Sequence, residues 1–218
     1  MIDITYFGHS SFKISGKKAS IITDPFDSKK LDLKFPKTEA SVVLISDNQN
    51  TNHNQSGQIS PKGDNGPFIT QGPGEYEIEG VNIVGVQAPG GEGEGGIEKI
   101  TVYQFTVDGV RFGFLGNLSK KLSQDQLEPL SGVDVLFVPV GGQTSLFAKD
   151  AVEVISQIEP KYIIPMHYKE SFGKDGKVEV SSLEEFLKVF GAKSETTKKL
   201  SVAKDKLPEE PQVVVLQS

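Results

Sequence analysis

The chain has 218 residues, of which 36% are hydrophobic and 24% are charged, so it can bury the core of a globular α/β domain. It contains no cysteine, which excludes disulfide bonds and thiolate metal ligands. The formal net charge of −6 at pH 7 disfavours nucleic-acid binding, and no apolar run approaches the roughly 18 residues of a membrane span. The N-terminal residues lack the basic and apolar regions of a signal peptide, so the sequence predicts a soluble, cytoplasmic protein that binds no membrane.

The first half of the chain reads as short strands separated by turns. Alternating or clustered apolar residues predict strands at residues 2–6, 11–15, 20–23, 42–45, 68–70, 75–78, 81–86, 100–107 and 110–115. Asp108-Gly109, between the last two strands, is typical of a hairpin turn. Composition predicts two loops, at residues 47–66, rich in Asn, Gln, Ser and Gly, and at residues 88–96, rich in Gly and Glu.

The second half alternates between strands and helices. Strands are predicted at residues 135–139, 162–165 and 213–216. A helix is predicted at residues 148–158, whose apolar residues share one face, and another at residues 182–190, which opens with a Ser182-x-x-Glu185 capping box. Strands followed by strand–helix alternation predict one layered α/β domain over residues 1–218.

The sequence has only three histidines, and they differ in the predicted element on which each lies. His9 lies in a predicted turn and His53 in the polar loop, where histidines are ordinarily hydrogen-bonding or solvated residues. His167 follows an apolar strand at its carboxyl end, where ligands of open α/β sheets collect, so it is the strongest single candidate. Neither glycine-rich stretch has the pattern of a phosphate loop, and no nucleophile-elbow Gly-x-Ser-x-Gly occurs.

An ordered series of motifs gives a more specific indication. The motifs are Gly8-His9-Ser10-Ser11-Phe12, Thr23-Asp24-Pro25, residues 42–46, Gly72-Pro73-Gly74-Glu75-Tyr76-Glu77, Asp108-Gly109-Val110, Leu115-Gly116, Val138-Pro139-Val140-Gly141-Gly142 and Ile164-Pro165-Met166-His167-Tyr168-Lys169. In order and approximate spacing, the series resembles the metallo-β-lactamase superfamily, in its branch of small Zn-dependent hydrolases related to ascorbate-phosphate lactonases. The resemblance implies a four-layer αββα sandwich with a dinuclear metal site along one edge.

The resemblance also implies metal-ligand positions, and most of them hold other residues here. After the strand at residues 42–45 the family has His-x-His-x-Asp-His. Aligned directly, these four ligands become Asp47, Gln49, Thr51 and Asn52. With one inserted residue, His53 instead takes the place of the last histidine and Asn52 that of the aspartate, and both registers stay open.

Two further ligand positions also differ. A family histidine that follows the strand at residues 81–86 is replaced within Gln87-Ala88-Pro89-Gly90, and the bridging aspartate of Leu-Gly-Asp is Asn117. His167 is the one family ligand plainly kept. Because Asn and Gln amides are neutral and bind zinc poorly, the sequence predicts a degenerate metal site with no cofactor.

Without a metal the family mechanism loses its hydroxide nucleophile, so the sequence favours a pseudoenzyme that binds an unknown small molecule or protein through the remnant cleft. No residue is assigned as catalytic; the cleft candidates are His9, Asp24, Asp47, Gln49, Asn52, His53, Asn117 and His167. His9 would orient the loop or line the pocket beside Asp24, unless Asp24 only caps the turn before Pro25.

Two alternatives stay open. In the first, the protein is an active hydrolase of lactones, esters or phosphodiesters, with one zinc or another divalent transition metal held by Asp47, His53 and His167. In the second, it is a structural or interaction protein, and it could form a homo-oligomer. A metal-dependent rate that vanishes in His167→Ala would support the first, and a stable self-assembly whose interface buries the cleft would favour the second.

Overall fold

Two β-sheets carry the fold, described here from a computed structural model that covers residues 1–62, 66–93, 96–172, 180–191 and 193–218. The first sheet has six strands: β1 (Ile2–Gly8), β2 (Ser11–Ser15), β3 (Ser20–Thr23), β5 (Val42–Leu44), β7 (Phe68–Thr70) and β15 (Lys199–Val202). Their order is β15-β1-β2-β3-β5-β7, and β3, β5 and β7 run parallel. A small separate ladder pairs β4 (Glu39–Ala40) with β6 (Ser60–Pro61).

The second sheet has eight strands and mixed pairing. They are β8 (Gly74–Ile78), β9 (Val81–Gly93), β10 (Gly96–Val107), β11 (Val110–Phe114), β12 (Val135–Pro139), β13 (Tyr162–Met166), β14 (Ser194–Thr197) and β16 (Gln212–Leu216). Their order is β14-β16-β13-β12-β11-β10-β9-β8. Strands β8 to β11 form an antiparallel meander, and β11, β12 and β13 are parallel, so their carboxyl ends meet at one edge.

The helices are few and short. They are α1 (Ser28–Leu31), α2 (Gln124–Leu127), α3 (Ala148–Ile158) and α4 (Leu183–Phe190), with single 3-10 turns at Ser56–Gln58, Glu128–Leu130, Lys169–Ser171 and Lys204–Lys206. Within the described ranges, no helix is long and apolar enough to cross a membrane.

The main core lies between the two sheets. Phe12 of the first sheet packs on Phe137 of the second, with ring centroids 4.5 Å apart, and both side chains are fully buried. Each such aromatic side chain contributes about 2–3 kcal/mol through its burial. The inward residues of β1 alternate with outward ones, as the period of two in its sequence predicts.

Helices and turns cover the outer faces of both sheets. The apolar face of α3 and Phe186 of α4 pack in one cluster with residues of β12 and β13, outside the second sheet. On the other side, Phe7 and Phe35 pack against buried residues of β3, β5 and α1, outside the first sheet. The layers therefore follow the order α, β, β, α, which confirms the four-layer sandwich.

The predicted helices agree closely with the structure. Helix α3 spans the predicted residues, and Ser182 is the N-cap of α4, where its hydroxyl accepts from the backbone N–H of Glu185. The carboxylate of Glu170 satisfies a second free N–H of this helix end, that of Leu183. The hairpin at Asp108-Gly109 is confirmed, since β10 and β11 pair antiparallel up to Val107 and Val110.

The loop predicted at residues 88–96 is wrong for its described part. Strand β9 continues to Gly93 and β10 begins at Gly96, so this stretch extends an antiparallel hairpin; residues 94 and 95 lie outside the described ranges. Glycine allows the close packing there, because a Cβ on Gly91 would lie 3.0 Å from the carbonyl oxygen of Thr144. The loop predicted at residues 47–66 is made of turns, a 3-10 turn and β6, with residues 63–65 outside the description.

Candidate metal centre

The strand ends of the two sheets bring the candidate residues together. Asp24 directly follows β3 and His167 directly follows β13, while residues 46 and 47 lie two and three residues beyond the carboxyl end of β5. His9 lies in the tight turn between β1 and β2. Because these ends meet at one edge of the sandwich, residues distant in sequence surround one point.

The three histidines of the chain form a single cluster at that point. The ring centroid of His9 lies 4.7 Å from that of His53 and 4.6 Å from that of His167, and the rings of His53 and His167 are 6.1 Å apart. One ring nitrogen of each lies within 4.8 Å of those of the other two. All three side chains are buried, with 3% exposure or less.

A buried carboxylate orients one of these rings. Oδ2 of Asp24 lies 2.7 Å from Nδ1 of His53, and it also accepts from the Ser46 hydroxyl at 2.6 Å. Oδ1 of Asp24 accepts from the Ser46 backbone N–H at 2.7 Å. An ionised carboxylate only accepts, so Nδ1 of His53 carries the proton and Nε2 keeps its lone pair. This Nε2 is buried and has no hydrogen-bond partner.

Low pKa values keep the imidazoles of His9 and His167 neutral. Burial, with a smaller effect of His167 and His53, holds the pKa of His9 well below its usual 6.5. Burial and the neighbouring His53 lower the pKa of His167 to about 3. Nδ1 of each ring is buried without a partner. Neutral imidazoles with free lone pairs are the form in which histidine binds a metal.

The pKa of His53 shifts in the opposite direction. Burial lowers its pKa, but the charge and hydrogen bond of Asp24, with smaller effects of Asp47 and Glu98, raise it above the usual 6.5 in balance. The cleft therefore favours positive charge at His53, and a metal cation there would replace a proton.

The backbone at the cluster is strained. His9, Asp24 and His167 all have positive φ, at 54°, 34° and 56°. Such a conformation costs a residue other than glycine about 1 kcal/mol or more, and it persists where the surroundings enforce it. Here they do: His167 N–H donates to the carbonyl oxygen of His9 at 3.1 Å, and the Tyr6 hydroxyl donates to the same oxygen at 2.7 Å.

The other predicted cleft residues do not share one environment. Oδ1 of Asp47 accepts from the backbone N–H groups of Gln49 and Asn50, which makes an Asx turn, and its Oδ2 is buried without a partner in the described structure. Gln49 is exposed and does not join the cleft. Asn52 and Asn117 line the cavity beside the histidines.

The predicted ligand set of Asp47, His53 and His167 is brought together only in part. In the described part of the chain, His9 takes the third place and Asp47 does not belong to the group that could share an ion. The approach of His53 to His167 favours the register with one inserted residue. Sequence reasoning placed His9 in the pocket, but gave no signal that its ring would reach the other two.

A cavity of about 220 Å³ opens onto the cluster. It is lined by His9, Asn50, Asn52, Gly91, Glu98, Asn117, Thr144, His167 and Phe172. The Phe172 ring packs edge-on against His9 and His167, with centroid distances of 4.9 and 5.1 Å. The cavity gives a small molecule access to the histidines from one side and leaves an apolar wall on another.

The donor set fits a transition metal. Catalytic zinc sites use three protein ligands and leave one position open, and three imidazoles are a known form of that set. An unpartnered buried polar atom costs about 1–3 kcal/mol, and three imidazole nitrogens stand in that condition here. One cation would satisfy all three, whereas no described protein group does.

Known proteins resemble the chain over nearly its whole length. A family model described as a β-lactamase superfamily domain matches residues 3–167. The chain is 26% identical to a "UPF0173 metal-dependent hydrolase" of Thermococcus onnurineus, with 89% of this chain and 95% of that protein covered. Among solved structures, a metallo-β-lactamase-superfamily protein of Thermotoga maritima, provisionally described as a Zn-dependent hydrolase, is 33% identical with a TM-score of 0.79 and covers 99% and 98% of the two chains.

A more distant structure supports the fold alone. It is a metal-dependent hydrolase, by provisional description, from Parabacteroides distasonis, at 20% identity and a TM-score of 0.64. It covers 99% of this chain and 94% of its own, so the fold is shared along nearly the whole chain. At this identity the likeness says nothing about the residues of the cleft.

Proposed function

The chain belongs to the metallo-β-lactamase superfamily and its metal-dependent hydrolases, and from this premise we propose that it is a hydrolase using one metal ion held by His9, His53 and His167. The sequence alone favoured a protein without a cofactor. The histidine cluster and the metal-dependent relatives favour the alternative with a metal. The proposal rests on one observation: three buried imidazoles lie together, and each has a ring nitrogen without a hydrogen-bond partner.

One metal rather than two follows from the other family positions. The bridging aspartate is Asn117, whose neutral amide lines the cavity, and Gln49 is exposed. Asp47 uses one carboxylate oxygen in a local turn. A second metal would therefore lack the bridging carboxylate and the imidazole ligands of the family, whereas His9, His53 and His167 offer the three protein ligands of a catalytic site.

The protein's own residues hold and prepare this site. Asp24 fixes the tautomer and orientation of His53, as carboxylates behind metal-binding histidines do. Burial keeps His9 and His167 neutral at physiological pH, so neither needs to lose a proton first. When bound, a divalent metal supplies a Lewis acid that activates water at neutral pH. The cavity admits the substrate to this point, and the Phe172 ring shields one side from bulk water.

Metal content tests the proposal directly. We expect the purified protein, titrated with zinc, to bind one equivalent, and His9→Ala or His167→Ala to weaken binding at least about tenfold. Gln49→Ala is the matched control, because it changes a family ligand position that lies in solvent, and it should bind zinc as the parent protein does. Hydrolysis of lactones, esters and phosphodiesters should then depend on zinc and on His167.

Two results would contradict the proposal. Binding of two equivalents would show that the amide positions still hold a metal. No zinc binding and no hydrolysis would favour the second candidate, a metal-free protein that binds a ligand in the cleft, for which the neutral side chains of Asn52 and Asn117 are the supporting observation. A protein partner and self-association remain predictions from the sequence.

A further inference from the structure

Beside the histidines the cavity is lined by one carboxylate and two amides, those of Glu98, Asn52 and Asn117. Oδ1 of Asn117 and Oδ1 of Asn52 are buried and have no partner, and Asn117 is only 4% exposed. Glu98 is half-buried in the same lining, and no lysine or arginine in the described ranges forms an ion pair with it. A ligand that fills this space must bring donors to satisfy these oxygens.

The charges around the cavity have the same sign. None of the nine lining residues is a lysine or arginine, and Glu98 is the only charged one. The buried Asp47 adds a second carboxylate near His53. A substrate with a phosphate or carboxylate would meet the charge of Glu98 and would find no lysine or arginine in this lining to bind it.

A protonated primary amine has the matching chemistry. It carries three donors, one positive charge and no acceptor, which suits a lining that offers one carboxylate and two amide oxygens. The cavity of about 220 Å³ has the volume of roughly seven water molecules, which limits the ligand to a small molecule. The Phe172 ring lines the same space and can contact an alkyl chain or the cation itself.

We propose that the cleft takes a small ester or lactone that carries a protonated amine, with the amine at Glu98, Asn52 and Asn117 and the carbonyl toward the three histidines. The inference rests on the proposed hydrolase function. In the reaction, the oxygen of water bonds to the carbonyl carbon and the bond from that carbon to the alkoxy oxygen breaks. One proton of water goes to the leaving oxygen, and the products are a carboxylic acid and an alcohol.

Three methyl esters of similar size test the charge preference of the zinc-loaded protein. They are the methyl ester of β-alanine, which is a cation, its uncharged isostere methyl butanoate, and the anion monomethyl succinate. We expect kcat/KM for the cation to exceed that for methyl butanoate at least about tenfold, as one charge-assisted hydrogen bond allows. Monomethyl succinate should be the poorest of the three.

Substitution of the carboxylate provides the second arm. Glu98→Gln should bring the ratio between the cationic and neutral esters close to one, whereas Glu77→Gln, an exposed carboxylate of β8, should leave the ratio unchanged. Propylammonium, which cannot be hydrolysed, should bind the protein with and without zinc, and Glu98→Gln should weaken this binding by a similar factor. Ester hydrolysis without charge preference, or with preference for the anion, would overturn the inference while the proposed function stands.

Failure of the two proposals can be told apart. Propylammonium binding that depends on Glu98, without hydrolysis of any ester, would keep the amine site and remove the hydrolase. Displacement of propylammonium by Mg²⁺ or Ca²⁺ at lower concentration would identify the lining at Glu98 as a site for a second, hard cation and overturn the amine proposal. Absence of propylammonium binding in both forms of the protein would overturn it as well.

Discussion

Asp24 determines which nitrogen of His53 faces the cavity. Its carboxylate is fully buried and accepts three hydrogen bonds, from the ring of His53 and from the backbone and hydroxyl of Ser46. The sequence also allowed a simple turn cap before Pro25, but the contacts of Asp24 reach across the sheet edge to another strand end. In the proposed metal site its role is therefore to position His53 rather than to bind the metal itself.

Asp24→Asn should weaken zinc binding about 10–100-fold without unfolding the protein. An asparagine can still accept from the Ser46 N–H, but its amide can donate to Nδ1 of His53 and so favour the tautomer with the proton on Nε2. That tautomer has no lone pair toward the other histidines. Competition with a chromogenic chelator measures the affinity.

Ser46→Ala is the control for this experiment. It removes one hydrogen bond to the same carboxylate but leaves the charge and the bond to His53, so zinc affinity should fall much less than in Asp24→Asn. Equal losses in the two variants would mean that packing around Asp24, and not the tautomer of His53, decides the affinity.

At the residue scale the sequence located part of the centre. It placed His9, Asp24 and His167 at one edge, because each follows or joins strands whose ends meet there. It could not decide whether His53 belongs, since an Asn-rich loop predicts a solvated histidine. In the structure His53 is fully buried, because it gains the Asp24 carboxylate and packs on the ring of His9. Such a contact depends on the loop path, which composition does not contain.

At the scale of elements, the turns that follow β12 and β13 support the histidine cluster. The strands are parallel, and Gly141 follows the first where His167 follows the second. A Cβ on Gly141 would lie only 2.1 Å from the carbonyl oxygen of His167. Only glycine allows the two turns to approach this closely, so the absence of a side chain at residue 141 helps set the backbone of a ligand.

Gly141→Ala should therefore destabilise the protein and weaken zinc binding together. A methyl group at that position must displace the His167 backbone, and overpacking of this kind costs about 1–3 kcal/mol. The midpoint of urea denaturation measures the first effect and chelator competition the second.

Gly57→Ala is the control, because it introduces the same methyl group where no atom lies within 4 Å. Its urea midpoint and its zinc affinity should both stay near those of the parent protein. A Gly141→Ala protein with parental stability and zinc affinity would show that the two turns can separate freely.

The prediction of helices and strands succeeded where the apolar residues follow a single helical or strand period. Helices α3 and α4 follow from their apolar faces and the Ser182 cap. It failed for residues 88–93 because glycine and glutamate are typical of loops, while here cross-strand pairing with β10 continues the strand. Strands β14 and β15 were also missed. β14 is polar throughout and β15 alternates over only four residues, so pairing in the sheets defines both.

The four-layer fold was predictable because the motifs resemble the metallo-β-lactamase superfamily in their order and spacing. Several of them mark turns with a demanding backbone, such as Gly8-His9 and the turn at His167, where φ is positive. The metal state was not predictable, because it depends on three side chains meeting in space. The loss of family ligands suggested an empty cleft, while the assembled histidines favour a single metal.

The same three histidines should shape the stability of the metal-free protein against pH. The pKa values of His9 and His167 are lower in the folded protein than the usual 6.5, so below about pH 6.5 the unfolded chain takes up protons that the folded one does not, and stability falls. The pKa of His53 is raised, so its contribution is complete below about pH 6.5 and is lost as the pH rises through the folded value. The free energy of unfolding should therefore peak near pH 6.5.

Urea denaturation of the zinc-free protein between about pH 5 and pH 9, above the range in which most carboxylates titrate, should show this maximum. His9→Asn should flatten the acid side, because it removes a group that must stay neutral when buried. Asp24→Asn should flatten the alkaline side, because His53 loses the carboxylate that raises its pKa. A midpoint that rises steadily from pH 5 to pH 9 would contradict the raised pKa of His53. A midpoint that does not fall below about pH 6.5 would contradict the neutral state of His9 and His167, on which metal binding at physiological pH depends.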